Sequence, residues 1–170
     1  FWSLTMTLAQ DRPVLTTTAT HPVEPLSPDE IRAAVAIVRS QQTLGSATRF
    51  ATVTLNEPDK ATVLAFQSGD EIEREAFLIL LDNETAKTYE AVVSLRSGNI
   101  KLWKHIPNVQ PPIMLDEFVE CEAAVKASAE FRAAIAKRGI TDPDLVMVDP
   151  WSAGNYGIAQ QDGVRLSRSL

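Results

Sequence analysis

A chain of 170 residues, 45% hydrophobic and 22% charged, has apolar material for one ordinary domain or two small ones and is too apolar for a disordered polypeptide. Its 22 acidic residues outnumber 16 basic ones for a formal charge of -6, and no basic run occurs, which argues against nucleic acid as a partner. No apolar stretch approaches the roughly 20 residues that span a bilayer, so no membrane partner is expected either.

Residues 1–20 show no sustained period and are expected to form a flexible leader. They lack the basic start and long apolar run of a secretory signal. The single Cys121 excludes an internal disulfide, which fits a reducing compartment and makes cytoplasm the expected location. Structure is expected to begin at His21-Pro22-Val23-Glu24-Pro25-Leu26, an extended proline-rich segment. Ser27-Pro28-Asp29-Glu30 then reads as a helix start. Ser27 can accept from an orphan backbone N–H, Pro28 suits the first helical position, and Glu30 can complete a capping box. Ile31, Ala34, Val35 and Val38 follow on one helical face, with the helix ending between Ser40 and Leu44.

Strand patterns come next. Ala51, Val53 and Leu55 alternate with threonines, and residues 61–66 read as a second strand closed by Ser68-Gly69-Asp70. The stretch Ala76 to Leu81 is apolar on both faces, as a central strand is. Tyr89, Ala91, Val93 and Leu95 alternate with polar neighbours, and Ile100–Ile106 forms the last strand after Ser97-Gly98-Asn99. Short turns imply an antiparallel meander, and one helix on such a sheet is a compact α+β module.

Pro107 to Pro112 is a proline-rich break, so residues 21–107 are expected to form a first α+β domain, 108–112 a linker and 113–170 a second domain. In the second half Phe118, Cys121 and Val125 suit one helical face. Ser128 can cap a further helix carrying Phe131, Ala134 and Ile135, and Gly139 marks its end. Leu145–Val148 reads as a strand, and Arg165–Leu170 as the beginning of another. A helix needs a sheet to bury its stripe, so this half is expected to be incomplete.

Candidate chemistry is sparse. His21 and His105 have no local partner at ligand spacing, so structural or exposed roles are expected for both. Cys121 reads as a small core residue rather than a nucleophile. The acids Asp116, Glu117, Glu120 and Glu122 sit where they complement a helix dipole. Gly154, Gly157 and Gly163 are too scattered for a phosphate cradle, and Trp151 is expected to anchor its loop to the core. No nucleophile–base order, CxxC or P-loop stands out.

Three segments nonetheless resemble the peripheral domains that precede the catalytic domain of copper amine oxidases. His21-Pro22-Val23-Glu24-Pro25-Leu26-Ser27-Pro28-Asp29-Glu30-Ile31, leading into Ala33-Ala34-Val35, is similar to the opening of that family's second amino-terminal domain. Asp116-Glu117-Phe118 through Glu122-Ala123-Ala124-Val125-Lys126 is similar to the third domain. So is Arg138-Gly139-Ile140-Thr141-Asp142 through Val146-Met147-Val148-Asp149-Pro150-Trp151, with Gly154 following. The resemblance runs over about residues 21 to 168. It implies two α+β modules, each a helix on an antiparallel sheet of cystatin-like form, around a large catalytic β-sandwich domain of a homodimer.

That catalytic domain holds copper on three histidines and a topaquinone made from tyrosine, and oxidises primary amines with O2 to aldehyde, ammonia and hydrogen peroxide. Copper and topaquinone are thus implied for a longer parent protein, not for this chain. Ser152-Ala153-Gly154-Asn155-Tyr156-Gly157 echoes the quinone-forming Thr-x-x-Asn-Tyr-Asp/Glu. It has Ser for Thr and Gly for the acid, and it lies in the third-domain match, so Tyr156 is expected to be an ordinary loop tyrosine. No catalytic, cofactor-binding or metal-ligating residue of the family carries over. The expected role is non-catalytic: packing on the catalytic domain, with self-association through an exposed apolar patch. The alternative from another class is a stand-alone cystatin-like binding module.

Overall fold

The computed structural model describes residues 18–154, 156–161 and 163–170. The expectation of a flexible leader falls mostly on residues 1–17, outside the described residues. The chain folds as two compact units. Of the described residues, one holds 18–44 with Thr52–Leu78 and Glu90–Lys104; the other holds Gly45–Ala51, Ile79–Tyr89 and those from His105 to Leu170.

Helix α1, Pro28–Gln41, starts as its sequence dictates. The Ser27 hydroxyl accepts from the Glu30 N–H at 3.2 Å, and the Glu30 carboxylate accepts from the Ser27 N–H at 2.8 Å. This reciprocal pair satisfies two donors that a helix start leaves orphaned. Ala34 and Val38 on the apolar face are fully buried. At the far end the Gln41 amide donates to Gly98 O at 2.7 Å and accepts from Ile100 N–H at 3.2 Å, so one side chain ties the helix to a strand.

Four strands form a sheet in simple order: β1 (Thr48–Leu55), β2 (Glu75–Asp82), β3 (Lys87–Ser94) and β4 (Asn99–Ile106). The stretch read as a central strand is β2, with Ala76, Leu78, Leu80 and Leu81 buried between neighbours on both sides. Ala91, Val93 and Leu95 add to the core along β3 and its end.

Residues 61–66, expected as a strand, are instead helical. Helix α2 covers Lys60–Ala65, with the Asp59 carboxylate accepting from both the N–H and the hydroxyl of Thr62 at 2.9 Å. It buries none of its residues, so the cap rather than packing decides its form.

The second half holds α3 (Leu115–Ala127) and α4 (Ala129–Ala136). Ser128 caps α4 through the Phe131 N–H. Gly139, at a positive φ of 79°, follows its last turn, and Ile140 N–H reaches back to Ile135 O at 3.1 Å. That six-to-one bond closes a helix end at a left-handed residue that suits glycine. Phe118, Cys121 and Val125 share the half-buried side of α3, Ile135 is buried, and Ala134, expected on the covered face, is exposed.

Leu145–Val148 is not a strand. Asp142 caps a single 3-10 turn over Pro143–Leu145, and the chain pairs only from Pro150. Strands β5 (Pro150–Ser152) and β6 (Ser167–Ser169) lie antiparallel, with Trp151 opposite Arg168. Asp149 and Leu170 exchange backbone bonds beside them at 3.1 and 3.3 Å. Arg165–Leu170 therefore does hold a strand, as expected. Both halves are α+β modules with antiparallel sheets, and α3 packs on α4, β5 and β6.

Candidate functional site

The residues singled out for chemistry are each engaged elsewhere. The His21 ring meets Phe66 edge-on at 5.4 Å, and its Nδ1 accepts from Val23 N–H. His105 lies 5.5 Å from the Tyr89 ring. Cys121 is half-buried rather than core, with the Ser167 and Ser169 hydroxyls 3.5 and 3.2 Å from its sulfur. Trp151 does not anchor its loop to the core: the ring is exposed, and its N–H donates to the neighbouring Asp149 carboxylate at 2.9 Å. Tyr156 is exposed, with the Arg168 guanidinium 4.7 Å over its ring. Asn155, beside it in the quinone-like hexapeptide, lies outside the described residues.

Sequence reasoning passed over the two best-built polar clusters. In the first, Arg74 reaches back 44 positions to Glu30. Its Nε and Nη2 donate to the two carboxylate oxygens at 2.8 and 3.1 Å. Nη1 and Nη2 also donate to the carbonyls of Glu24 and Pro25 at 2.7 and 3.1 Å. Both side chains are buried, at 2% and 3% exposure. Burial pushes the Glu30 carboxyl up, but the bonds from Arg74 and Ser27 outweigh it and hold it at about 2.

In the second cluster, Arg165 donates from Nε and Nη2 to both oxygens of Glu117 at 2.7 and 2.6 Å, and to the carbonyls of Pro111 and Pro112. Glu117 also accepts from Met114 N–H at 2.6 Å, as Glu30 accepts from Ser27. The hydrogen bonds from Arg165 hold Glu117 below the usual carboxylate range, against a smaller opposing effect of burial.

Neither cluster presents a free nucleophile, base or acceptor to a cavity. Each oxygen of both carboxylates faces a donor, which is the pattern of structural ion pairs rather than of a reactive centre. Copper held by imidazoles does not fit this chain either. Its two histidines are engaged with aromatic rings, and no group of three or more His, Cys, Asp or Glu among the described residues could hold a metal ion. Fold and clusters together define an α+β region whose two best-built polar clusters are structural ion pairs.

Comparison with known proteins assigns that region. Residues 27–102 match the AGAO-like N2 domain and residues 116–170 the copper amine oxidase N3 domain. The chain belongs to the copper amine oxidase family, as its non-catalytic N-terminal domains. It is 45% identical over 151 residues to a primary amine oxidase of Arthrobacter sp. (strain P1), a match that covers 88% of this chain and 23% of that protein. A primary amine oxidase of Klebsiella aerogenes is 37% identical over 80% of this chain and 18% of its own length. The histamine oxidase of Arthrobacter globiformis is 33% identical over 96% of this chain and 24% of its own. This chain thus spans about a quarter or less of these relatives.

The copper-containing benzylamine oxidase of Hansenula polymorpha shares the fold, with a TM-score of 0.67 at 21% identity over 79% of this chain and 22% of that one.

Proposed function

We propose that this region is the scaffold of a primary-amine oxidase, packing on a catalytic β-sandwich domain and shaping the channel by which amine or O2 reaches it. The parent reaction is oxidation of a primary amine by O2 and water to aldehyde, ammonia and hydrogen peroxide. Copper and topaquinone belong to the catalytic domain, and the finer form of each module is cystatin-like. The low cysteine content supports a reducing compartment such as the cytoplasm.

The observation that carries the packing role is the bare side of α3. No residue of this 13-residue helix is buried, and Leu115 and Val119, one turn apart, are 87% and 69% exposed. An apolar pair left in water on a helix that already has α4, β5 and β6 on its other side is a surface for a further partner. The test is Leu115→Asp/Val119→Asp in the full-length gene product. The expected result is loss of assembled oxidase, read by size-exclusion chromatography and quinone absorbance. Wild-type yield, quinone content and turnover in that variant would refute the packing surface.

A further inference from the structure

The two clusters are one device used twice. In each, a Glu at the third helical position accepts from the backbone N–H three residues before it. In each, an Arg preceding a later strand grips that Glu with two bonds. The same Arg holds two carbonyls of a proline-containing lead-in, six and five residues before the Glu: Glu24 and Pro25 in one case, Pro111 and Pro112 in the other. The setting differs. Arg74 and Glu30 are sealed at 2% and 3% exposure, and the residue after Arg74 opens β2, a strand with neighbours on both sides. Arg165 and Glu117 are 24% and 19% exposed, and β6 is three residues long, wholly exposed and paired only with β5.

We propose that the Glu117–Arg165 clamp is an acid-opened latch on the segment Val164–Leu170, whereas its counterpart at Glu30 and Arg74 is a permanent closure. Protonation of Glu117 removes the charge that strengthens two of Arg165's four bonds and turns one of the two accepting oxygens into a hydroxyl. What then holds the segment is Arg165 on the Pro111 and Pro112 carbonyls, the pair of bonds between Asp149 and Leu170, one from Ala153 N–H to Leu166 O, the Ser167 and Ser169 contacts with Cys121, and the short β5–β6 pairing. The charged groups around Glu117 are Arg165 from the segment itself and Arg49 from β1. Asp116 and Glu120 on its own helix are both paired with Arg49, and Cys121 and Glu120 share the small cavity beside Arg165. Arg168 of β6 is turned to Tyr156, and α4 contributes no residue to that cavity.

The direction follows from linkage. A carboxyl held below its unfolded value, about 4.3, adds stability above that value and loses it as pH falls through the folded one. Both carboxyls are held low by their arginine, but Glu117 at 19% exposure is open to water where Glu30 at 3% is sealed from it.

Hydrogen exchange read by mass spectrometry on the 170-residue chain, from about pH 7 to about pH 3 and corrected for intrinsic rates, tests the latch. Protection of peptides within 164–170 should fall by about tenfold or more on acidification, while peptides within 75–82 change by less than about twofold. Glu117→Gln should show the acid level of protection in 164–170 already at neutral pH, with no further pH dependence. The wild-type titration decides the matter even if that variant folds poorly. Constant protection of 164–170 across the range, parallel loss in both peptides, or no protection of 164–170 at neutral pH would each overturn the proposal.

Discussion

Replacing Arg74 by leucine removes the cation from a carboxylate that has almost no access to water. In the native chain Glu30 lies at about 2 instead of 4.5. At about 1.4 kcal/mol for each pH unit of that difference, the charged form is favoured in the fold by about 3 kcal/mol. Removal of one partner of a buried pair independently suggests about 3–5 kcal/mol, because the remaining charge stays buried. Two carbonyls, of Glu24 and Pro25, also lose their donor. Arg74→Leu is therefore expected to lose about 3–5 kcal/mol at neutral pH, measured by urea titration followed by far-UV circular dichroism.

The pH dependence separates this account from a simple packing defect. The lowered Glu30 adds stability above about pH 4.5 that native protein loses progressively as pH falls toward 2. In Arg74→Leu only the Ser27 bonds still oppose burial, so Glu30 rises from its native value and its penalty is relieved earlier as pH falls. The gap between variant and native protein should narrow on acidification. Arg74→Leu/Glu30→Leu should recover much of the loss, since an apolar pair replaces a buried ionic one. A loss below about 1 kcal/mol at neutral pH, or a gap that does not change with pH, would refute the reasoning.

Leu78, fully buried in β2, should cost about 2–5 kcal/mol when truncated to alanine, read from the same urea transition. Ser27→Ala removes one half of the capping box and should cost about 1 kcal/mol, visible as faster amide exchange in the first turn of α1. Equilibrium dialysis of the 170-residue chain against copper, followed by metal analysis, should find no stoichiometric tight site. A one-to-one complex that survives dialysis would contradict the engagement of His21 and His105 with aromatic neighbours.

What was legible in the sequence was local. Ser27, Pro28 and Glu30 specify the start of α1 within four residues, and the capping box forms as read. The apolar run of β2 announces an interior strand of the sheet without reference to any other part of the chain. Failures came where a neighbour far along the chain, or a competing cap, decided the outcome. The stretch Ala61-Thr62-Val63-Leu64 has strand-like side chains, but Asp59 satisfies the Thr62 N–H and tips it into helix.

Leu145–Val148 is apolar enough for a strand, yet pairing waits for Pro150, because register is set by partners at Ser167–Ser169. The clamps were invisible for the same reason: Arg74 and Glu30 lie 44 positions apart. One signal was available. Both Glu residues follow a proline-containing lead-in at matching offsets, and a search for a repeated Pro–helix–Glu pattern would have paired them. The family assignment was legible because it rests on the order of whole segments, not on chemical motifs.

The composition of β6 bears on how this polypeptide behaves when concentrated. Its residues are Ser167, Arg168 and Ser169, all exposed, with the arginine laid across a tyrosine ring. A short, polar, charged strand is a poor template for further backbone pairing. The large apolar exposure lies outside the strand itself, on Leu115, Val119, Leu145 and Met147 and on Leu170 just past its end. Aggregates of this chain should then be held by side chains rather than by growing sheets. They should dissolve in mild detergent, remain blind to amyloid dyes and revert on dilution, which makes the isolated region a tractable reagent rather than a fibril former.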